Sequence, residues 1–137
     1  MSATRKAAAA LLAVLLAGTA TAATFRIDPD HTFPSLEFSH MGISVWRGRF
    51  NRTTGTFEYD AAARKGTVSV TVDTNSIDFG LDSMREYAIK PDWLDAVKHP
   101  VMTYTGSLVY QGERPVGLDG QLTLRGVTRP LRLTINS

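Results

Sequence analysis

The chain contains no cysteine. A protein exported to an oxidising compartment without disulfides is held together by its core alone. The same absence removes thiol catalysis, thiolate metal sites and a lipid-modified cysteine at an export cleavage site. Histidine is scarce too: His31, His40 and His99 are the only three. They form no His-x-His or His-x-x-x-His pair, so no metal site is expected. No basic block exists, which argues against nucleic acid or an anionic membrane surface as a partner.

Long apolar runs are limited to one. Residues 7–17 are Ala, Leu and Val throughout, with Arg5 and Lys6 before them and Ala20-Thr21-Ala22 after. A positive head, a short apolar run and a small-residue exit are the parts of a secretory signal peptide. The run is about half of the ~20 residues that span a bilayer. Residues 1–22 are therefore expected to be cleaved near Ala22 on export to the periplasm. Residues 23–137 then form one domain. Without Arg5 and Lys6 the 13 remaining basic residues equal the 13 acidic ones, so the exported protein is near neutral.

What fills those residues is short alternation. Leu36, Phe38 and His40 alternate with Ser35, Glu37 and Ser39. Trp46, Gly48 and Phe50 alternate with Val45, Arg47 and Arg49, and Phe57 and Tyr59 with Thr56 and Glu58. Val68, Val70 and Val72 share one face of the clearest strand. Met102 and Tyr104, Leu122 and Leu124, and Leu131, Leu133 and Ile135 continue the pattern. Period two with turn residues between the segments predicts about eight strands. One stretch differs. Ser83 and Glu86 have capping-box spacing, and Met84, Tyr87 and Ala88 fall on one helical face before Pro91. A turn is predicted over residues 112–117. A single helical insert leaves no crossovers for parallel pairing, so the strands pair antiparallel. They either close into a barrel or stack as a sandwich.

Catalytic arrangements are not apparent. No serine sits in a Gly-x-Ser-x-Gly elbow. Glu37 and Glu58 lie on polar strand faces, where a solvated carboxylate is the ordinary reading rather than a glycosidase pair. No enzyme activity is expected, because no set of groups converges.

Four phrases in order resemble one family. They are "FRIDPDHTFPSLEFSHMGISVWRGRF", "VTVDTNSIDFGLDSM", "PDWLDAVKHPVMTYTG" and "LDGQLTLRGVTRPLRLTI". Together they resemble the YceI-like family of secreted bacterial proteins. The resemblance implies an all-β, antiparallel, lipocalin-like up-and-down barrel with one short helical insert. It also implies a polyisoprenoid or quinone-type chain held inside as ligand, for storage or transport, and no other cofactor. Tyr87 stands where many members carry histidine. Members usually continue with a further strand pair, so the barrel is expected to lack its closing strands. The last strand is then expected to present an edge, and the chain to be either a homodimer joined there or an unstable fragment of a longer protein.

The residues expected to line the ligand site are Phe38, His40, Phe50, Phe57, Val68, Val70, Val72, Tyr104 and Leu122. Met84, Tyr87 and Trp93 of the insert are expected to cover it. Periodicity alone leaves a filled core open as an alternative, which would make the protein a β-sandwich stress-response or adhesion module. His40 is expected to find a hydrogen-bond partner in the wall or in the ligand's head group. Arg47, Arg49 and Arg52 suit a polar head group at the rim or a solvated face.

Overall fold

The computed structural model describes residues 22–136. The expected signal segment, apart from Ala22, lies outside the described residues. Among the described residues there are nine strands and one short helix, and all strand pairs are antiparallel. The strands are β1 (Ala23–Arg26), β2 (Ser35–His40), β3 (Ser44–Phe50), β4 (Thr53–Asp60), β5 (Lys65–Asp73), β6 (Ile77–Asp78), β7 (Val101–Gln111), β8 (Arg114–Leu124) and β9 (Val127–Thr134). Helix α1 is Asp82–Ala88. Six strands form one sheet in the order β1-β4-β5-β7-β8-β9, and β2-β3-β6 form a second. Among the described residues the sheets do not close into a barrel. β1 and β9 are the two edges of the large sheet, and Pro130 within β9 suits an edge position.

Pairing follows the alternation. Val70 lies opposite Tyr104, and Tyr104 opposite Leu122, so three core side chains run across β5, β7 and β8 on one face. Their outward neighbours are Ser69, Thr71, Thr103, Thr105, Gln121 and Thr123. The core sits where the two sheets meet: Phe50, Val72, Ile77, Ala88 and Met102 are buried, with Leu36, Val70, Phe79, Ile89, Leu94 and Leu124 packed around them. The junction is pinned by Ser76. Its hydroxyl donates to the Asp73 carbonyl at 2.7 Å and accepts the Arg52 N–H at 3.0 Å. Asp73 caps the 3₁₀ turn Thr74–Ser76 by accepting the Asn75 N–H at 2.8 Å. Buried turn amides are thus satisfied where the chain leaves one sheet for the other.

Two local expectations are corrected. The helix starts one residue before Ser83, with Leu81 as its N-cap and no side-chain cap bond, so Ser83 and Glu86 do not form a capping box. The turn expected over residues 112–117 is only Gly112 and Glu113, because Arg114, Pro115 and Gly117 pair with β7 as part of β8. Gly112 has φ 63°, which lets the hairpin close tightly.

Candidate functional site

An apolar cavity of about 600 Å³ lies between the concave face of the large sheet and the start of β2. That is within the usual range for small-molecule sites, about 300–1,000 Å³. Its floor is Val70, Val72, Met102, Tyr104, Leu122 and Leu124, and its opposite wall is Phe33, Pro34, Leu36 and Phe50. Leu94 closes one end, while Leu131 and Leu133 of β9 form the open side. Those two leucines are 37% and 40% exposed, so the side toward β9 meets solvent.

Polar groups are few. His31 borders the cavity, but its Nδ1 lies 2.7 Å from Asp28 Oδ2 and both side chains are solvated. This hydrogen bond, followed by the Asp30 amide, holds the Asp28 carboxyl below its ordinary range. The other polar groups are Thr32, Ser35, Thr103 and, on the floor, Tyr104. Its ring leans over Gly106 and Gly120, where no side chain stands in the way. Its hydroxyl then donates to the carbonyl oxygens of Leu118 at 3.3 Å and Leu131 at 3.1 Å. Burial, and after it the charge of Asp119, raises the phenol's pKa. The hydroxyl is thus spent on the wall, and the phenol presents its ring to the cavity.

Of the twelve residues expected at the site, Phe50, Val70, Val72, Tyr104 and Leu122 line this cavity. The other seven do not. Phe57 stacks on Tyr59 at 5.8 Å and meets Phe25 at 6.3 Å, toward the far end of the sheet. Val68 borders a separate groove. Phe38 packs against Trp93 at 5.5 Å and Phe79 at 6.1 Å. Tyr87 meets Trp93 edge-on at 5.4 Å, and the Lys90 ammonium lies 5.4 Å from the Tyr87 ring centre. Met84 is half-buried on α1. The insert therefore caps the outer half of the β2–β3 hairpin, and Leu94 is its only contribution to the cavity among the described residues.

His40 shares a face with Leu36 and Phe38, as alternation requires, but it is exposed at the end of β2. Its ring meets the edge of Trp46 at 5.8 Å. The greasy face of β2 is longer than the sheet it covers, so only Leu36 reaches the cavity. The arginines are occupied on the outside. Arg47 pairs with Glu37 at 2.7 Å, Arg52 with Asp73 at 2.6 Å, and Arg49 lies 4.7 Å over the Phe33 ring.

Lining residues missed from sequence are the apolar Phe33, Pro34, Leu36, Leu94, Met102, Leu124, Leu131 and Leu133 and the polar His31, Thr32, Ser35 and Thr103. Leu124, Leu131 and Leu133 carried the same alternation as Leu122 and were within reach of it. Phe33 and Pro34 lie in the irregular segment before β2, where no periodicity operates.

A second groove, about 750 Å³, runs over the outer face of the large sheet. It is lined by short polar side chains such as Thr56, Ser69, Thr105 and Gln121 with Glu58 and Asp119. Its hydroxyl, amide and charged side chains suit an apolar chain less well than the first cavity does. Among the described residues, no three His, Asp or Glu side chains gather as metal ligands.

An open, antiparallel β-fold with one helical insert and an apolar cavity is the lipocalin-like class. The YceI-like domain model matches residues 25–137, and the chain belongs to that family. It is 35% identical over 122 residues to Protein YceI of Escherichia coli, spanning 85% of this chain and 63% of that protein. A UPF0312 protein of Pectobacterium atrosepticum is 34% identical over 120 residues, spanning 85% of this chain and 62% of that protein. The chain thus spans less than two thirds of the length of these relatives. The Campylobacter jejuni YCEI protein matches with TM-score 0.59 at 25% identity, over 77% of this chain and 63% of that one. Burkholderia cenocepacia BcnA shares the fold, with TM-score 0.62 at 21% identity over 75% and 66% of the two chains.

Proposed function

We propose that the protein is a binding protein that holds the chain of a polyisoprenoid or quinone-type lipid in the cavity between β2 and the large sheet. The observation that carries this reading is the lining: mostly apolar side chains, with the Tyr104 hydroxyl turned into the wall. Such a surface gains from burying hydrocarbon, roughly 0.8 kcal/mol per CH₂, and has no preference among head groups. Family membership supports the reading. Export to the periplasm is part of the proposal and rests on the signal-like residues 1–22.

The exposed edge of β9 also bears on assembly. It carries Leu131 and Leu133 with no strand beside it among the described residues, and we infer that two copies pair there.

The test is chemical. The protein is purified from the periplasm without detergent, extracted with organic solvent and analysed by mass spectrometry. A lipid with an isoprenoid chain in near-stoichiometric amount is expected. A lipid-free protein that also takes up none when offered it contradicts the proposal.

A further inference from the structure

The tip of the β2–β3 hairpin is built against its own local chemistry. Residues 41–43 connect the strands, and Met41 and Gly42 have φ 56° and 71°. A turn with a left-handed residue before glycine ordinarily takes asparagine or aspartate there. Here a methionine occupies it, 82% exposed, and Ile43 beside it is 87% exposed. Backbone preference and solvation both disfavour this choice.

Two of the tip's amides are nevertheless bonded within the hairpin. The Gly42 N–H donates to Ser39 Oγ at 3.2 Å, and the Ile43 N–H donates to the His40 carbonyl at 3.1 Å. An amide bonded within its own turn can leave water without becoming an orphaned donor. Just behind the tip, Trp46 and His40 meet edge to face, amphipathic rings of the kind that sit at headgroup depth. From Trp46 the rings continue inward: Phe79 at 6.4 Å, Phe38 at 6.1 Å from Phe79, and Trp93 at 5.5 Å from Phe38. Leu36, next on the same face of β2, lines the cavity.

We propose that this hairpin tip inserts into the surface of a phospholipid bilayer, with Met41 and Ile43 among the acyl chains and Trp46 at the headgroups. A convex two-residue knob would need a matching socket on a protein partner, whereas a bilayer has no shape to match. The hairpin's charged residues are Glu37, Arg47 and Arg49, with Arg47 neutralised by Glu37. That near-neutral balance suits a zwitterionic headgroup layer and makes insertion an apolar event with little salt dependence. The inference does not depend on the cavity's occupant, so it is tested with vesicles that contain no isoprenoid.

The full chain is co-sedimented with phosphatidylethanolamine–phosphatidylcholine vesicles, and tryptophan quenching by brominated lipid is read in parallel. Wild type is expected to partition, with quenching, equally at low and high salt. Met41→Asn keeps the turn and Ile43→Asp places a charge at the tip. Each is expected to weaken partitioning by tenfold or more, with unchanged circular dichroism. Absence of vesicle binding by wild type overturns the proposal. So does equal binding by both folded variants. Loss of self-association in the variants with vesicle binding unchanged overturns it as well, in favour of a protein partner.

Discussion

The Tyr104 hydroxyl on β7 lies 3.1 Å from the carbonyl oxygen of Leu131 on β9, reaching across the whole width of β8. One side chain thereby ties three strands together under the cavity. The crossing is possible because Gly106 and Gly120 leave the floor bare beneath the ring. A Cβ on Gly120 would run into the Thr105 carbonyl oxygen and stand 2.7 Å from the Tyr104 hydroxyl.

Tyr104→Phe keeps the ring and removes the bond. The expected loss is about 1 kcal/mol of unfolding free energy, the usual net value of one hydrogen bond. Urea denaturation measures it. A loss below experimental error would mean that the hydroxyl bonds water equally well.

The same residue gives the fold an alkaline limit. Burial, then Asp119, raises the Tyr104 phenol above the ordinary 10.0. The folded state therefore holds its proton more tightly than the unfolded state. This contribution is complete below about pH 10 and is lost as pH rises through the folded-state value. Tyr110 is shifted the same way, chiefly by its hydrogen bond with the Tyr59 hydroxyl. Stability is expected to fall more steeply above pH 10 in wild type than in Tyr104→Phe. Parallel pH profiles would contradict this.

Gly120→Ala is expected to be worse than Tyr104→Phe, since backbone and ring must both move. About 1–3 kcal/mol is the usual loss for an overpacked site. The displaced ring would also narrow the cavity, so ligand affinity should fall with stability. A stable variant of unchanged affinity would show that the sheet bends freely at that point.

His40→Leu tests the opposite expectation. The ring is exposed beyond the cavity's reach, so stability should change by no more than about 0.5 kcal/mol, as for other surface positions. Isoprenoid affinity should not change. A shift in selectivity among head groups would put a ligand near the hairpin tip.

These contrasts locate what the sequence could and could not convey. Alternation assigned Val70, Val72, Tyr104 and Leu122 to one face, because side chains on a strand have no third direction to take. It assigned Phe38, His40 and Phe57 to inner faces as well. Period two carries no information on where along a strand the opposing sheet ends, and β2 runs past that point. Tyr104 looked like one more aromatic lining residue. Its hydroxyl's partner on β9 depends on two glycines and on sheet curvature, neither of which alternation encodes. The helical insert was legible from its break in period, yet its rings serve the hairpin more than the cavity.

The edge of β9 can be probed by sedimentation at micromolar concentration. A dimer is expected, and Leu133→Lys should dissociate it, since a charge on an exposed edge blocks strand pairing. A wild-type monomer over the whole concentration range would contradict pairing at this edge.

The central claim is that the cavity floor, and not the aromatic cluster of the insert, holds an apolar chain. Calorimetric titration of wild type and Leu122→Asp with a short isoprenoid alcohol tests it most directly. Wild type should bind with a negative heat-capacity change, the mark of apolar burial. The variant, if folded, should bind at least tenfold more weakly, a difference of about 1.4 kcal/mol, because hydrocarbon would have to desolvate a carboxylate. Equal affinity in the two proteins would contradict the account.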